Sequence, residues 1–366
     1  MADSSDTPTP SLLAHGAEQL SLVTVETYNA ELRTSDGFIG DRASKRAFQT
    51  ILDEWRERMR KAGEDPLGDA PSDELSKKQL DKLLVDGDPQ AAGVIHGAIE
   101  EFAQEFATVV RRLLRLKCWK DTERIVVGGG LRQSRIGELA IGRTAVILKG
   151  NGQDIELKPI HNDPDHAGLI GSVQLVPAWT LAGHDSILAV DIGGSNIRAG
   201  IVELRTKKKA DFSEAQVSRF ELWRHAEDNP KREAAVERLL EMLKDLIKRA
   251  GKDGLELAPF VGIGCPGVIE ADGSIDRGGQ NLPGNWEHKS FNLPHLVREA
   301  IPRIGDHDTV VVMHNDAVVQ GLSELPFMQD VDHWGVLTIG TGLGNACFTN
   351  RKSAKESGRS KESNRK

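Results

Sequence analysis

The segment Ile187–Val202 constrains the fold most tightly. An apolar strand ending near Asp191, a polar turn through Gly193, Gly194, Ser195 and Asn196, and a second apolar strand follow one another without a break. Two glycines at the turn permit positive φ and close approach by a ligand. Backbone N–H groups and short side chains of Gly193, Gly194, Ser195 and Asn196 can then point at phosphate oxygens, while Asp191 can hold a magnesium ion through water. The same pattern also serves an ordinary hairpin with a glycine turn, so by itself the motif leaves both readings open.

Two more strand–glycine loops narrow the choice. Residues 337–346 set Thr341 between Gly340 and Gly342, where a hydroxyl and bare backbone suit a second phosphate loop. Residues 125–131 carry Gly128, Gly129 and Gly130, whose missing side chains would let a flat base or ribose lie against the backbone. One such loop is a turn, but three in one chain are hard to assign to turn chemistry alone. A fourth element, 310–321, reads as a buried strand running out into Asn315 and Asp316 before a helix. Strand ends face clefts in folds of this type. A carboxylate there can accept the proton of a hydroxyl attacking a phosphoryl group, a role worth about 10²–10⁴ in rate, or it can simply cap the helix.

Helical spacing of apolar residues predicts helices over 42–61, 91–116 and 232–250, and short β-branched runs predict strands at 187–191, 260–264, 309–313 and 334–339. Strands alternating with helices imply an α/β fold. A chain of 366 residues with 39% apolar content can supply cores for two domains. Its net charge of −8 gives no electrostatic reason to expect nucleic acid as a partner. No run of eighteen apolar residues occurs and the start, Met1–Pro10, is polar, so no membrane partner is expected and the protein reads as cytoplasmic. Cys118, Cys265 and Cys347 are too scattered for a disulfide framework or a metal cluster, and no zinc is expected. Residues 1–20, rich in Ser, Thr, Pro and Ala, and 351–366, with seven Lys or Arg against two Glu, are expected to be mobile.

Together these segments resemble the ROK family of bacterial sugar kinases and related repressors, within the actin-like ATPase superfamily. Residues 191–196 look like the family's first phosphate loop, 262–269 like its glycine–proline motif, and 280–286, Gln-Asn-Leu-Pro-Gly-Asn-Trp, like its sugar-contacting loop. Asn315-Asp316-Ala317 resembles the catalytic-base motif and 340–345 the second phosphate loop. By that resemblance Asp316 is the base, Asn281, Asn315 and Gly267 belong to the sugar site, and Thr341 meets the phosphates of ATP. Residues 85–175 resemble the family's C-terminal part, with Gly128–Gly130 as its adenosine motif, although they precede the rest here. The resemblance therefore implies a two-lobed actin-like ATPase (ribonuclease H-like) α/β fold with mixed sheets covered by helices, in circularly permuted order. The expected lobes are 21–162 with 333–350 for the nucleotide and 163–332 for the first phosphate loop and sugar.

The implied activity is Mg²⁺- and ATP-dependent phosphorylation of a sugar hydroxyl, glucokinase-like or N-acetylhexosamine kinase-like. The phosphate donor, ATP or polyphosphate, stays open, and a homodimer is compatible with the sequence. Two departures weigh against full transfer of the activity. The family's Glu-x-Gly-His motif and its cysteine-rich zinc motif should follow the second phosphate loop, yet a basic tail stands there; His15 and Glu18 have the wrong spacing to replace them. The alternative is a nucleotide- or sugar-binding protein without turnover. A repressor is disfavoured because residues 1–40 offer neither paired helices nor a basic recognition face.

Overall fold

A computed structural model describes residues 14–35 and 37–351. The chain divides into two compact units. Among the described residues, the first holds 14–24, Ser172–Asn315 and Arg351; the second holds Val25–Gly171 with Asp316–Asn350.

With elements numbered in chain order, the first unit is built on β6 (Ser186–Ile192), β7 (Ile197–Glu203), β8 (Gln216–Trp223), β9 (Leu257–Cys265) and β12 (Val310–Asn315), in the order β12-β9-β6-β7-β8. β6, β7 and β8 form an antiparallel meander, while β9 lies parallel to β6 and β12 parallel to β9. Every residue of β6 is buried, as an unbroken apolar run in a central strand requires. Helix α7 (Arg232–Asp253) turns Val236, Leu239, Leu243 and Leu246 into the core with Val190 and Ile197, and leaves Glu233, Glu237 and Lys244 exposed. The short α6 (His225–Asp228), α8 (Leu293–Ala300) and a ribbon of β10 (Arg303–Ile304) with β11 (His307–Asp308) complete the unit.

The second unit is built on β1 (Val23–Tyr28), β4 (Arg124–Gly128), β5 (Glu156–Pro159), β13 (His333–Ile339) and β14 (Leu343–Asn350), in the order β1-β14-β13-β4-β5, beside a small ribbon of β2 (Arg33–Thr34) and β3 (Gly37–Phe38). β13 runs antiparallel to β14 and parallel to β4, and β4 parallel to β5. Counted from β13 through β14 to β1, this sheet has the same strand order as the first sheet counted from β6. Around it lie α1 (Lys45–Ala62), α2 (Lys77–Asp86), α3 (Pro89–Leu113), α4 (Arg135–Gly150), α5 (Pro164–Gly171) and α9 (Asp316–Leu322). Phe48, Phe102, Phe106 and Trp119 fill the core, with the Phe48 and Phe102 rings edge-on at 5.7 Å.

Local chemistry sets the helix starts. Ser44 accepts the Ala47 N–H and begins α1 three residues after the expected start, because residues 39–43 form a tighter 3₁₀ turn. Asp88 accepts the N–H groups of Gln90 and Ala91 and Pro89 opens α3, two residues before the expected start. The sequence reading put 163–332 with the first lobe, but 163–171 and 316–332 fall in the second unit, where α9 packs with β13 and β14: a Cβ at Gly321 would come within 2.8 Å of the Phe348 ring. The mobile ends expected at 1–20 and 351–366 lie outside the described residues for 1–13 and 352–366. Residues 14–20 differ from that expectation. The Gly16 N–H donates to the Met313 carbonyl at 3.0 Å and the Met313 N–H to His15 Nδ1 at 3.0 Å, so the segment occupies the otherwise open edge of β12.

One buried cation organises the loop after α1. Arg56, wholly inaccessible, donates to Asp65, to the Ser72 hydroxyl and to the carbonyls of Gly68 and Ala70, which ties down residues 65–72. Arg60 pairs with the same Asp65 carboxylate from the surface. Arg56→Met should cost about 3–5 kcal/mol of stability by leaving the Gly68 and Ala70 carbonyls without their donor and Asp65 with only its surface partner, and Arg60→Met at most ~1 kcal/mol. Urea unfolding of the two variants checks the contrast, and equal losses would contradict it.

Candidate active site

Register places the first group of candidate residues. β6, β9 and β12 are parallel neighbours, so their C-terminal ends emerge along one edge of the sheet. Asp191 lies level with Gly264, and Asn315 level with Cys265. Asp191 and Asn315 are therefore two strands apart, about 10 Å at the usual strand spacing. The loop after β9 closes the row: Asn315 Nδ2 donates to the Gly267 carbonyl at 3.1 Å, and Gly267 takes φ +106°, which favours glycine. Asn281 also comes to this edge, since a Cβ at Gly194 would lie 3.0 Å from the Asn281 Cβ. Asp191, residues 193–196, Gly267, Asn281 and Asn315 are thus brought together in the first unit.

The first glycine loop is a tight hairpin. The Gly193 N–H donates to the Asn196 carbonyl at 2.8 Å, so it closes the turn and is not the phosphate donor expected of it. Two contacts that the sequence reading missed hold the loop from behind. His225 Nε2 donates to the Gly193 carbonyl at 2.9 Å, and the Ala226 N–H donates to the Ser195 carbonyl at 3.2 Å. No spacing rule points to His225, because tertiary packing alone brings α6 beneath the turn. Asp191 accepts from Arg198 Nη1 at 3.1 Å, and both side chains are largely buried. That pair was legible, because a hairpin turning at Gly194-Ser195 sets Asp191 opposite Arg198. A magnesium ion at Asp191 would meet a carboxylate already neutralised by Arg198. The fit is that of an ion held through water, with most of its ligands drawn from substrate phosphates.

Asp316 follows Asn315 directly as the first residue of α9 and is half-buried. Behind it His314 is buried. Its Nδ1 accepts the Asn315 N–H at 2.7 Å and its Nε2 donates to the Ala17 carbonyl at 3.2 Å, so the ring is neutral and fixes the strand end. Burial pushes its pKa down to about 4.

In the second unit β4 and β13 are also parallel neighbours, with Gly128 level with Thr338. The loops Gly128–Gly130 and Gly340–Gly342 therefore emerge side by side, and Gly129, at φ +84°, runs so close to Ile339 that a Cβ would lie 2.3 Å from its carbonyl oxygen. The Gly340 N–H closes the second loop onto the Gly342 carbonyl at 2.9 Å. A Cβ at Gly340 would meet only the Gly342 carbonyl oxygen, at 3.9 Å, and one at Gly342 nothing within 4 Å, which leaves bare backbone and the exposed Thr341 beside open space. The Gln320 Oε1 atom, shielded from solvent and without a hydrogen-bond partner, lies where a Cβ of Gly128 would be 2.5 Å away. Such open glycine backbone fits a phosphate-bearing nucleotide.

With this geometry in hand, comparison with known proteins is direct: the model of the ROK family matches residues 187–358. That match spans a little under half of the chain. The chain is similar to a glucokinase of Thermotoga maritima, 33% identical over 167 residues that cover 44% of each protein. It thus spans less than half the length of that relative. Among solved structures it resembles a ROK hexokinase from Thermus thermophilus at 23% identity and a TM-score of 0.32, covering 44% of this chain and 45% of that one. It also resembles a Listeria monocytogenes protein named for a proposed N-acetylmannosamine kinase activity, at 24% identity and a TM-score of 0.32, covering 45% and 47%. The ROK segment contains Asp191, both phosphate-loop candidates, Asn281, Asn315 and Asp316. Among the described residues, no helix is long and apolar enough to cross a membrane.

His314 gives the strand end of the ROK segment a pH signature. Its pKa is about 6.5 in the unfolded chain and about 4 in the fold, so below pH 6.5 the unfolded state takes up a proton that the folded state refuses. Its contribution is fully present above pH 6.5 and is lost as the pH falls toward 4, on the order of 3 kcal/mol in all. His314→Gln should flatten the fall in stability over that window, measured by urea unfolding at a series of pH values. An unchanged slope would show that His314 is not the group responsible.

Proposed function

We propose that this chain is an ATP-dependent carbohydrate kinase whose ROK fold is circularly permuted. The observation that carries the reading is the single sheet edge of the first unit. It gathers Asp191, the 193–196 loop, Gly267, Asn281 and Asn315, with Asp316 as the next residue in the chain. The matched strand orders of the two sheets support the permutation, since the second sheet reads like the first only when β1 is counted after β14.

The residues divide the work by chemistry. Asn281 and Asn315 offer amides to hydroxyls of a sugar, and the fixed Asn315 amide holds the Gly267 loop in place. Asp316 takes the proton of the attacking hydroxyl as its oxygen bonds to the γ-phosphorus of ATP, and the bond to the β-γ bridging oxygen breaks to release ADP. In the first unit the glycine turn at 194–196 offers backbone to phosphate oxygens, and in the second unit the 340–342 turn offers the Thr341 hydroxyl for the same chemistry. When bound, magnesium would offset charge on the phosphates, with Asp191 holding it through water. Glucose-like or N-acetylhexosamine-like sugars are the substrate class proposed, in keeping with the names of the relatives.

A coupled ADP-release assay across aldohexoses and N-acetylhexosamines tests this. Asp316→Asn should lower sugar-dependent turnover at least about a hundredfold while ATP binding persists, because the base is lost and the shape kept. Retained turnover would return Asp316 to a helix-capping role. ATP binding without turnover on any sugar would favour the non-catalytic binder. Asp191→Ala should raise the magnesium concentration needed for half-maximal rate and lower the rate, and an unchanged titration would remove Asp191 from the metal site.

A further inference from the structure

His15 has the wrong spacing for a sugar ligand, yet His15-Gly16-Ala17 lies against the last three residues of β12, the strand that ends at Asn315. His15 Nδ1 accepts the Met313 N–H at 3.0 Å, and the Gly16 N–H donates to the Met313 carbonyl at 3.0 Å. The Ala17 carbonyl accepts from His314 Nε2 at 3.2 Å, which leaves Nδ1 of that ring to accept the Asn315 N–H at 2.7 Å. Three consecutive residues thus fix Met313 directly and Asn315 through His314. Glu18, next in the chain, is exposed.

The same tripeptide is wedged against the loop after β9. Gly16 takes φ +57°, and a Cβ there would lie 2.0 Å from the Ile269 carbonyl oxygen, so the position requires glycine. A Cβ at Gly273 would lie 3.0 Å from the His15 ring. Ile269 is two residues beyond Gly267, whose carbonyl accepts from the Asn315 amide. β12 does not need the tripeptide in order to form, because β9 pairs with it at every position from Val310 to Asn315. What the tripeptide adds is confined to the end of the strand. Without it the outer edge there would face water and fray. A displacement of about 1 Å in a reacting group can cost on the order of a hundredfold in rate.

We propose that His15 is a positioning residue for the sugar side of the site: through the Met313 N–H it holds the exit of β12, and with it Asn315 and the base candidate Asp316 that follows. The inference rests on the kinase reading, whose base it places. His15 moves no proton in the reaction; its task is to present a hydrogen-bond acceptor at a fixed point. Asparagine carries Oδ1 the same number of bonds from its Cα as histidine carries Nδ1, so it should replace His15 in that task.

Steady-state kinetics of sugar-dependent ADP release tests this on the full chain and on its His15→Ala and His15→Asn variants, with the sugar that the parent turns over fastest. His15→Ala should lower kcat about tenfold or more while the KM for ATP stays within about twofold, and His15→Asn should recover most of the loss. Unchanged kcat in His15→Ala would overturn the proposal. So would equal losses in the two variants, or a loss shared by the KM for ATP, either of which would make His15 a general prop of the unit. Should the variants fail to fold, amide hydrogen exchange on the parent gives an independent readout. Because coupling between two sites is reciprocal, the sugar should slow exchange at the Gly16 and Met313 amides about threefold or more, while ATP alone leaves it unchanged. Equal exchange with and without sugar would overturn the coupling. A parent chain with no turnover on any aldohexose or N-acetylhexosamine would instead remove the kinase reading itself, and this inference with it.

Discussion

Parallel strand pairing is the constraint on which the candidate site depends. Side-by-side strands running in one direction deliver their following loops to a common edge, and hydrogen-bond register fixes which residues share a level. In the first unit that places Asp191 level with Gly264 and Asn315 level with the next residue, Cys265, with Gly267 and Asn281 folded against this edge. In the second it sets Gly128 beside Thr338, and hence one glycine loop beside the other. Glycine is required where the approach is closest, as at Gly129, whose backbone all but touches Ile339.

Polar groups around these edges are arranged for rigidity more than for strength. His314 is kept neutral by burial and spends both ring nitrogens on backbone groups, His225 braces the first glycine turn, and Arg198 neutralises Asp191. None of these is a reacting group. Each removes a freedom that a loop or a carboxylate would otherwise have, and geometry held in advance is what phosphoryl transfer asks of a protein. Cys347, whose thiol is pushed up to about 12 by burial, is by the same logic a packing residue with no thiolate to offer.

The glycine loops, the base candidate and the alternation of strands and helices were legible because each is a local pattern of residue types. The Asp191–Arg198 pair was legible in principle, as it follows from hairpin arithmetic. Arg56 and His225 were not. An arginine in a helix and a histidine after a strand look like ordinary surface residues until packing brings distant backbone carbonyls within reach.

The sequence by itself determined where the loops, strands and helices fall, because glycine freedom, β-branching and apolar periodicity act over a few residues. It also determined that 187–358 reads as a ROK segment. Only the tertiary structure decided that α9 packs with β13 and β14 and that residues 14–20 line the edge of β12. It also decided that Gly193 spends its N–H inside its own turn. Such pairings depend on which surfaces bury one another and which backbone groups would otherwise lack partners. That is a property of the whole unit, and no short stretch of chain contains it.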